Sequence, residues 1–180
     1  MHSFATLTRR VTFSAAHRYR RPEWDDARNA EVFGACAWPH WHGHTYICDV
    51  TIGGEIDPLT GFCGDLGQLD AVLRERVTRV LDHRNLVLDV PAFAEGKLIP
   101  TTENIAAWIM REVRDGLRAA QSSASAQSSA SAQSSASAQS STSPGTTRVM
   151  RVRVAEEPGL WAEVAADDAA PTSRTGPSAT

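Results

Sequence analysis

Two segments of this chain alternate residue by residue between apolar and polar side chains, a period that predicts β-strands with one buried face. They span residues 10–19 and residues 42–53. Three histidines share the apolar faces: His17 in the first segment, and His42 and His44 in the second. Because alternate residues of a strand point to the same side of a sheet, we expect these imidazoles on the core side of two neighbouring strands.

The remaining periodic segments complete a mixed fold. Apolar residues at three- and four-residue spacing predict amphipathic helices over about 65–81 and 101–117, the first capped by Asp65. Alternation returns at 149–156, and a short strand is predicted at about 161–165. The order β-β-α-α-β-β, with helices segregated from hairpins, predicts an α+β fold with an antiparallel sheet.

A six-residue repeat, QSSASA, interrupts this unit from Gln121 to about Ser143. Its small, uncharged residues bury too little surface to offset the conformational entropy of ordering them. We therefore predict a single domain over residues 1–165 with a flexible loop at about 119–147, followed by a disordered tail over 166–180. As an alternative, the preceding helix extends by a turn or two, and the serine content argues against more.

The composition excludes several classes of partner. The formal net charge of −3 and the pI of about 6.1 provide no broad basic surface for nucleic acid or an anionic membrane. The apolar runs are too short to span a bilayer, and the N-terminal residues lack the apolar core of a signal peptide, so we expect a cytoplasmic protein. In that reducing compartment, three cysteines favour metal, catalytic or buried-thiol roles over disulfides.

The histidines predict a metal site. His42 and His44 of the HGH motif point to one side of a strand, and His17 joins them from its neighbour. Three histidines are a ligand set of catalytic zinc, which keeps a fourth position open. His40 has the same parity and is a rival third ligand. Cys36, shortly before the motif, is a candidate base or nucleophile, or a fourth ligand that would close the site.

Two further groups are candidates for chemistry. Asp82 and His83 follow the first helix, where the carboxylate can fix the tautomer of the imidazole. The alternative is a histidine that interacts with the helix C-terminus. Glu156 ends an apolar strand face, where a carboxylate suits a ligand edge with two hydrogen-bond donors. The alternative is that Glu156 is simply solvated.

Taken together, these motifs resemble those of the 6-pyruvoyl-tetrahydropterin synthase / 6-carboxytetrahydropterin synthase family. They are FSAAHR at 13–18, GACAWPHWHGHTY at 34–46, GEIDPLTGF at 54–62, LDHRNLVLDVPAF at 81–93, TTENIA at 101–106 and VRVAEE at 152–157. The resemblance implies the tunnelling fold (T-fold), in which subunits associate into a barrel. It also implies a homo-oligomer, usually a hexamer of two trimers, with sites at subunit interfaces.

The resemblance also implies roles for site residues. The Zn2+ ligands it implies are His17, His42 and His44. The catalytic residues it implies are Cys36, Asp82 and His83, which serve a site jointly across a subunit boundary. The residues it implies at the pterin are Glu156, Thr101 and Thr102. Arg18, Arg20 and Arg84 are candidates for a cationic patch, without an assignment.

The implied substrate is 7,8-dihydroneopterin triphosphate, and two products are possible. The gap between Cys36 and His42 resembles the pyruvoyl-type spacing. The chain has one lysine against seventeen arginines, a composition that suggests a bacterial source and favours the other branch. We expect 6-carboxytetrahydropterin, with release of triphosphate and acetaldehyde, in queuosine and 7-deazapurine biosynthesis. The alternatives are 6-pyruvoyl-tetrahydropterin, formed with loss of triphosphate only, and a non-catalytic zinc- or pterin-binding module.

Overall fold

A five-stranded sheet organises the computed structural model, which describes residues 3–132 and 147–166. Its strands are β1 (Phe4–His17), β2 (His42–Glu55), β3 (Arg84–Asn85), β4 (Arg148–Glu157) and β5 (Leu160–Ala165). They lie in the order β3-β1-β2-β4-β5, and every neighbouring pair is antiparallel except β1 with β3. The four main strands confirm the predicted antiparallel sheet. The sequence analysis missed β3, which pairs with β1 only at Ala15 and Ala16.

The helices lie between β1 and β2 and between β2 and β4. They are α1 (Asp26–Phe33), α2 (Leu66–Leu73), α3 (Arg79–Leu81), α4 (Leu86–Asp89) and α5 (Thr102–Ala132). A π-helical turn at Arg74–Thr78 joins α2 to α3. The predicted cap is confirmed, because the Asp65 carboxylate accepts a hydrogen bond from the Gln68 N–H at 3.0 Å.

The core lies between one face of the sheet and the helices. Strand register places Phe13 opposite Tyr46, and their rings stack with centroids 4.9 Å apart. Both side chains are fully buried, and the cluster continues into α2 and α5. The opposite face carries polar cross-strand pairs, among them a two-bond contact of Arg10 with Asp49 at 2.7 and 2.8 Å. Each main strand therefore has one apolar and one polar face, as the alternation predicts.

The long helix α5 differs from the prediction. It continues through the start of the repeat to Ala132, so the predicted loop is wrong over residues 119–132. The Ser122 and Ser123 hydroxyls donate to carbonyl oxygens four residues earlier, at 2.9 and 3.0 Å. These bonds give the serine hydroxyls partners within the helix. The rest of the predicted loop, 133–146, and the predicted tail from 167 onward lie outside the described residues.

The segment between β1 and β2 folds into two short elements. It contains α1 and a 3-10 turn at Gly34–Ala37. Asn29 is buried, and its amide donates to three carbonyl oxygens and accepts from the Arg21 N–H at 2.8 Å. This side chain ties α1 to the chain that leaves β1. Within the described ranges, no helix combines the length and apolar character that a membrane span requires.

Candidate active site

The strand register brings the three predicted metal ligands together. His17 on β1 lies opposite His42 on β2, and Ala15 lies opposite His44. The Nε2 atoms of His17 and His42 are 2.9 Å apart, and ligand atoms of all three histidines lie within 4.8 Å of one another. His40 is exposed and is not part of this cluster. The juxtaposition predicted from parity is therefore present.

Hydrogen bonds orient the ring of His17, which is fully buried. Its Nδ1 lies 3.0 Å from the Pro100 carbonyl oxygen and 3.0 Å from the Tyr46 hydroxyl. Because a carbonyl oxygen only accepts, Nδ1 carries the proton and Nε2 presents its lone pair to the cluster. Burial lowers the pKa of His17 to about 4. Burial and the charge of His44 also lower the pKa of His42, so both rings are neutral at pH 7.

The third ring carries an unpaired polar atom. His44 Nε2 is buried, and within the described ranges it has no hydrogen-bond partner. Leaving such an atom unpaired costs about 1–3 kcal/mol, which metal coordination would offset. Three convergent imidazoles, one of them with an orphaned nitrogen, fit a divalent cation such as Zn2+, and they leave the fourth position of a tetrahedral site open.

A carboxylate and two phenols lie beside the cluster. Thr102, at the start of α5, donates to Glu156 Oε2 at 2.8 Å. Burial raises the pKa of both Tyr46 and Tyr19, and the charge of Glu156 raises both values further. Glu156 is therefore held among neutral hydroxyl groups, whereas Thr101 accepts from the Asn104 N–H at 3.3 Å and caps α5.

The two tyrosines are functional-site residues that the sequence analysis did not single out. The signal was present, because Tyr46 has the parity of His42 and His44. Tyr19 has the parity of His17, although β1 ends before it. Its ring packs edge-on against His17, with centroids 4.9 Å apart.

Cys36 lies in the 3-10 turn before β2, and its carbonyl oxygen accepts from the Tyr19 N–H at 2.8 Å. Partial burial and the charge of Glu156 raise the pKa of its thiol. The sulfur is therefore in the field of the same carboxylate as Tyr19 and Tyr46. It does not belong to the metal-ligand cluster, so this arrangement favours a thiol beside the metal over a fourth ligand.

Asp82 and His83 form the predicted pair. Asp82 accepts from the Ser14 N–H at 2.8 Å and lies 3.0 Å from His83 Nδ1, and these bonds lower its pKa. His83 adopts a positive φ of 56°, and its side chain is 84% exposed beside β3. In the described part of the chain, no hydrogen bond or ion pair joins His83 to Cys36.

Trp41, directly before His42, has a strained backbone. Its φ of 60° is rare for a bulky residue and costs about 1–3 kcal/mol. The Arg18 guanidinium lies 5.2 Å from the centre of the Trp41 ring, a cation-π contact that offsets part of this cost. The Trp41 ring lines a small pocket together with Arg18 and Pro100.

Known proteins resemble this chain in both sequence and fold. The model of the family described as 6-pyruvoyl tetrahydropterin synthase matches residues 6–167. The human 6-pyruvoyl tetrahydrobiopterin synthase is 44% identical over 105 residues, which cover 58% of this chain and 71% of that protein. A dihydroneopterin monophosphate aldolase of Pyrococcus furiosus is 34% identical over 115 residues, 63% of this chain and 78% of that protein.

The fold match is broader than the sequence matches. The structure of Caenorhabditis elegans 6-pyruvoyl tetrahydropterin synthase superposes with a TM-score of 0.71 at 28% identity, covering 92% of this chain and 97% of that one. This similarity confirms the predicted α+β tunnelling fold. Because the family model matches nearly the whole chain, this chain belongs to the 6-pyruvoyl tetrahydropterin synthase family.

Proposed function

We propose that this chain is a zinc-dependent 6-pyruvoyl-tetrahydropterin synthase, a lyase that eliminates triphosphate from 7,8-dihydroneopterin triphosphate. The observation that carries the proposal is the cluster of His17, His42 and His44, beside a carboxylate and a thiol. A structural metal site would be closed by four protein ligands, whereas three ligands suit a metal that also contacts substrate. The names of the curated relatives support the same activity.

The three histidines would hold Zn2+, which, when bound, acts as a Lewis acid on oxygens of the substrate side chain. The protein's own contribution is to keep the His17 ring neutral and oriented. The Pro100 carbonyl fixes the proton of His17 on Nδ1, and burial keeps that ring from taking a second proton.

Glu156 would bind the amino-pyrimidine edge of the pterin. That edge presents adjacent N–H donors, which a carboxylate can accept side by side. One oxygen of Glu156 already accepts from Thr102, so its position is set before substrate arrives. Burial and the Glu156 charge keep the Tyr19 hydroxyl protonated beside this contact.

Cys36 would act as the general base on a side-chain carbon. Its sulfur takes the proton, the C–H electron pair moves into the side chain, and triphosphate leaves with its bonding electrons. The Glu156 charge and burial disfavour the thiolate, and a divalent cation in the neighbouring cluster would favour it.

The Asp82–His83 pair would relay a second proton at the site of a neighbouring subunit. Its carboxylate fixes the ring at Nδ1, which leaves Nε2 for proton transfer. The His83 side chain is 84% exposed in the single chain. For catalysis, the surface of a second subunit would have to pack against this imidazole. This role requires a homo-oligomer; the hexameric barrel and the cytoplasmic location stay predictions.

The product that we propose differs from the one that the composition favours. Composition favours 6-carboxytetrahydropterin and a role in queuosine biosynthesis. The names of several similar curated proteins do not support this product, because they are 6-pyruvoyl tetrahydrobiopterin synthases. The spacing between Cys36 and His42 agrees with them. We therefore prefer the alternative, in which triphosphate is lost and the three-carbon side chain is kept.

The test is incubation of zinc-loaded protein with 7,8-dihydroneopterin triphosphate, followed by mass spectrometry of the pterin and separate assays for triphosphate and acetaldehyde. We expect one triphosphate per 6-pyruvoyl-tetrahydropterin and no acetaldehyde. Acetaldehyde in equal amount would restore the 6-carboxytetrahydropterin reading. Binding of pterin without release of triphosphate would favour the non-catalytic module.

A further inference from the structure

We propose that a small cationic pocket lined by Arg18, Trp41 and Lys97 binds the triphosphate group of the substrate. The proposal rests on the function proposed above and adds to it the subsite for the leaving group. No residue of the metal cluster or of the Glu156 contact serves this purpose. A substrate with a triphosphate still requires cations close to the metal.

The pocket is connected to the metal site through residues that flank or orient two of the ligands. Arg18 directly follows His17, and Trp41 directly precedes His42. Pro100, whose carbonyl oxygen lies 3.0 Å from the His17 ring, also lines the pocket. A group held there therefore contacts residues next to His17 and His42.

The pocket is small and suits one end of a larger substrate. Its volume is about 110 Å³. Whole small-molecule ligands occupy pockets of about 300–1,000 Å³, so this one fits a substituent rather than the complete pterin. Because its cationic side chains attract anions, the phosphate end of the substrate is the matching group.

Two of the cations here have no carboxylate partner in the described part of the chain. Arg20 and the carboxylate Glu95 also line the pocket, but Arg20 is paired with Asp26 at 2.6 Å and with Glu95 at 3.8 Å, so these two lining charges offset each other. Arg18 and Lys97 have no such ion pair among the described residues. They are therefore the side chains with charge available for an anionic ligand.

Trp41 acts as a positioning residue for this charge. Its left-handed backbone turns the ring toward Arg18, with 5.2 Å between the guanidinium and the ring centre. A guanidinium held against a ring presents its N–H edge in a fixed direction. Glycine tolerates the same φ, so Trp41→Gly removes the ring without forcing the backbone to change.

Arg84, the other basic candidate from the sequence, lies elsewhere. It lines a shallow groove with Ser14, Thr45 and His83 on the polar side of the sheet. The structure therefore places Arg18 and Arg84 in different pockets. The Arg84 groove also includes His44, whereas the Arg18 pocket includes Pro100, whose carbonyl oxygen holds the ring of His17.

The test uses inorganic tripolyphosphate, which is the proposed leaving group. Calorimetric titrations compare wild-type protein with Arg18→Gln, Lys97→Gln and Trp41→Gly. The matched control is Arg74→Gln, since Arg74 is an exposed arginine paired with Glu75. Because polyphosphates chelate zinc, each titration is repeated on chelator-treated protein, and the zinc content of the loaded samples is measured before and after.

We expect Arg18→Gln and Lys97→Gln each to raise the Kd for tripolyphosphate about tenfold, as for loss of one charge-assisted contact. Trp41→Gly should raise it less and should also raise KM while kcat changes little, as expected of a positioning residue. Zinc content should be unchanged, and the control should bind as wild type. Arginine in place of lysine, Lys97→Arg, should restore binding.

A Kd that is unchanged in both Arg18→Gln and Lys97→Gln would overturn the pocket assignment, even if the wild-type protein releases triphosphate. A wild-type protein that fails to release triphosphate, yet binds tripolyphosphate through Arg18 and Lys97, would support the pocket and refute the function proposed above. Loss of tripolyphosphate binding in the Arg74→Gln control would also count against the pocket, since it would indicate diffuse electrostatic attraction.

Discussion

Removal of the Cys36 sulfur separates the two roles open to this residue, proton transfer and metal binding. The variant Cys36→Ala should fold as the wild type does, because the side chain is only partly buried and lies outside the hydrophobic core. Its main chain should stay in place, since the carbonyl oxygen keeps the 2.8 Å hydrogen bond from the Tyr19 N–H. We expect a change of less than about 0.5 kcal/mol in the free energy of unfolding.

The effects on metal and on rate should differ sharply. The three histidines form the ligand cluster without Cys36, so one zinc per chain should remain. Loss of a general base lowers the rate of a proton transfer about 10²–10⁴-fold, which corresponds to about 2.7–5.5 kcal/mol of activation free energy. Triphosphate release should therefore fall by that factor.

The assay is triphosphate release by zinc-saturated protein, with metal content measured on the same sample. Cys63→Ala is the matched control, because Cys63 is also a partly buried free cysteine but lies against Gly54, near the end of β2 that is remote from His42. Loss of zinc from Cys36→Ala would mean that the sulfur is a ligand. Full activity in this variant would place the base elsewhere.

Three other perturbations test the site and the core. In chelator-treated protein, the folded-state pKa of about 4 for His17 lies below its unfolded value near 6.5. The stabilisation is therefore complete above pH 6.5, and about 3 kcal/mol is lost by pH 4. Urea unfolding should show this loss in wild type and a smaller loss in His17→Gln, where the lowered pKa of His42 still contributes. Thr102→Val removes the 2.8 Å hydrogen bond to Glu156, which should raise KM and lower the free energy of unfolding by about 1–3 kcal/mol; unchanged values of both would refute the role of this contact. Gly116→Ala brings a methyl group to 2.6 Å from the Val72 side chain. The overpacking cost of about 1–3 kcal/mol should exceed the gain in helix propensity of about 1 kcal/mol, so we expect a lower melting temperature. A higher melting temperature would contradict this packing argument.

The parts of the fold that follow from side-chain periodicity could be predicted. Parity along β1 and β2 placed His17, His42 and His44 on one face, because a strand alternates sides at every residue. Parity alone does not set the register between strands. The 2.9 Å contact of His17 with His42 depends on which residues pair across the hairpin, and that is fixed only by the packed core.

Contacts between segments that are distant in the sequence could not be predicted from the spacing of residues. Thr102 and Glu156 meet because the start of α5 packs beside the end of β4, and neither local segment carries a signal for this. Helix α1 is only eight residues long and mostly polar, and its buried side chain is Asn29, so it has too few apolar residues to be predicted from their spacing. The positive φ of Trp41 had no signal at all, since glycine, asparagine and aspartate are the residues that indicate this conformation.

The pairing of β1 has a consequence for how the chain behaves in solution. On the side away from β2, the described residues provide a neighbouring strand only at Ala15 and Ala16. The N–H and C=O groups on that side of β1, from Phe4 to Phe13, therefore form an exposed strand edge with which another strand can pair. Soluble proteins normally cover or block such an edge. A second copy adding a strand there would end beside His83. Self-association and completion of the catalytic machinery would then be a single event, so specific activity should fall on dilution while each chain stays folded.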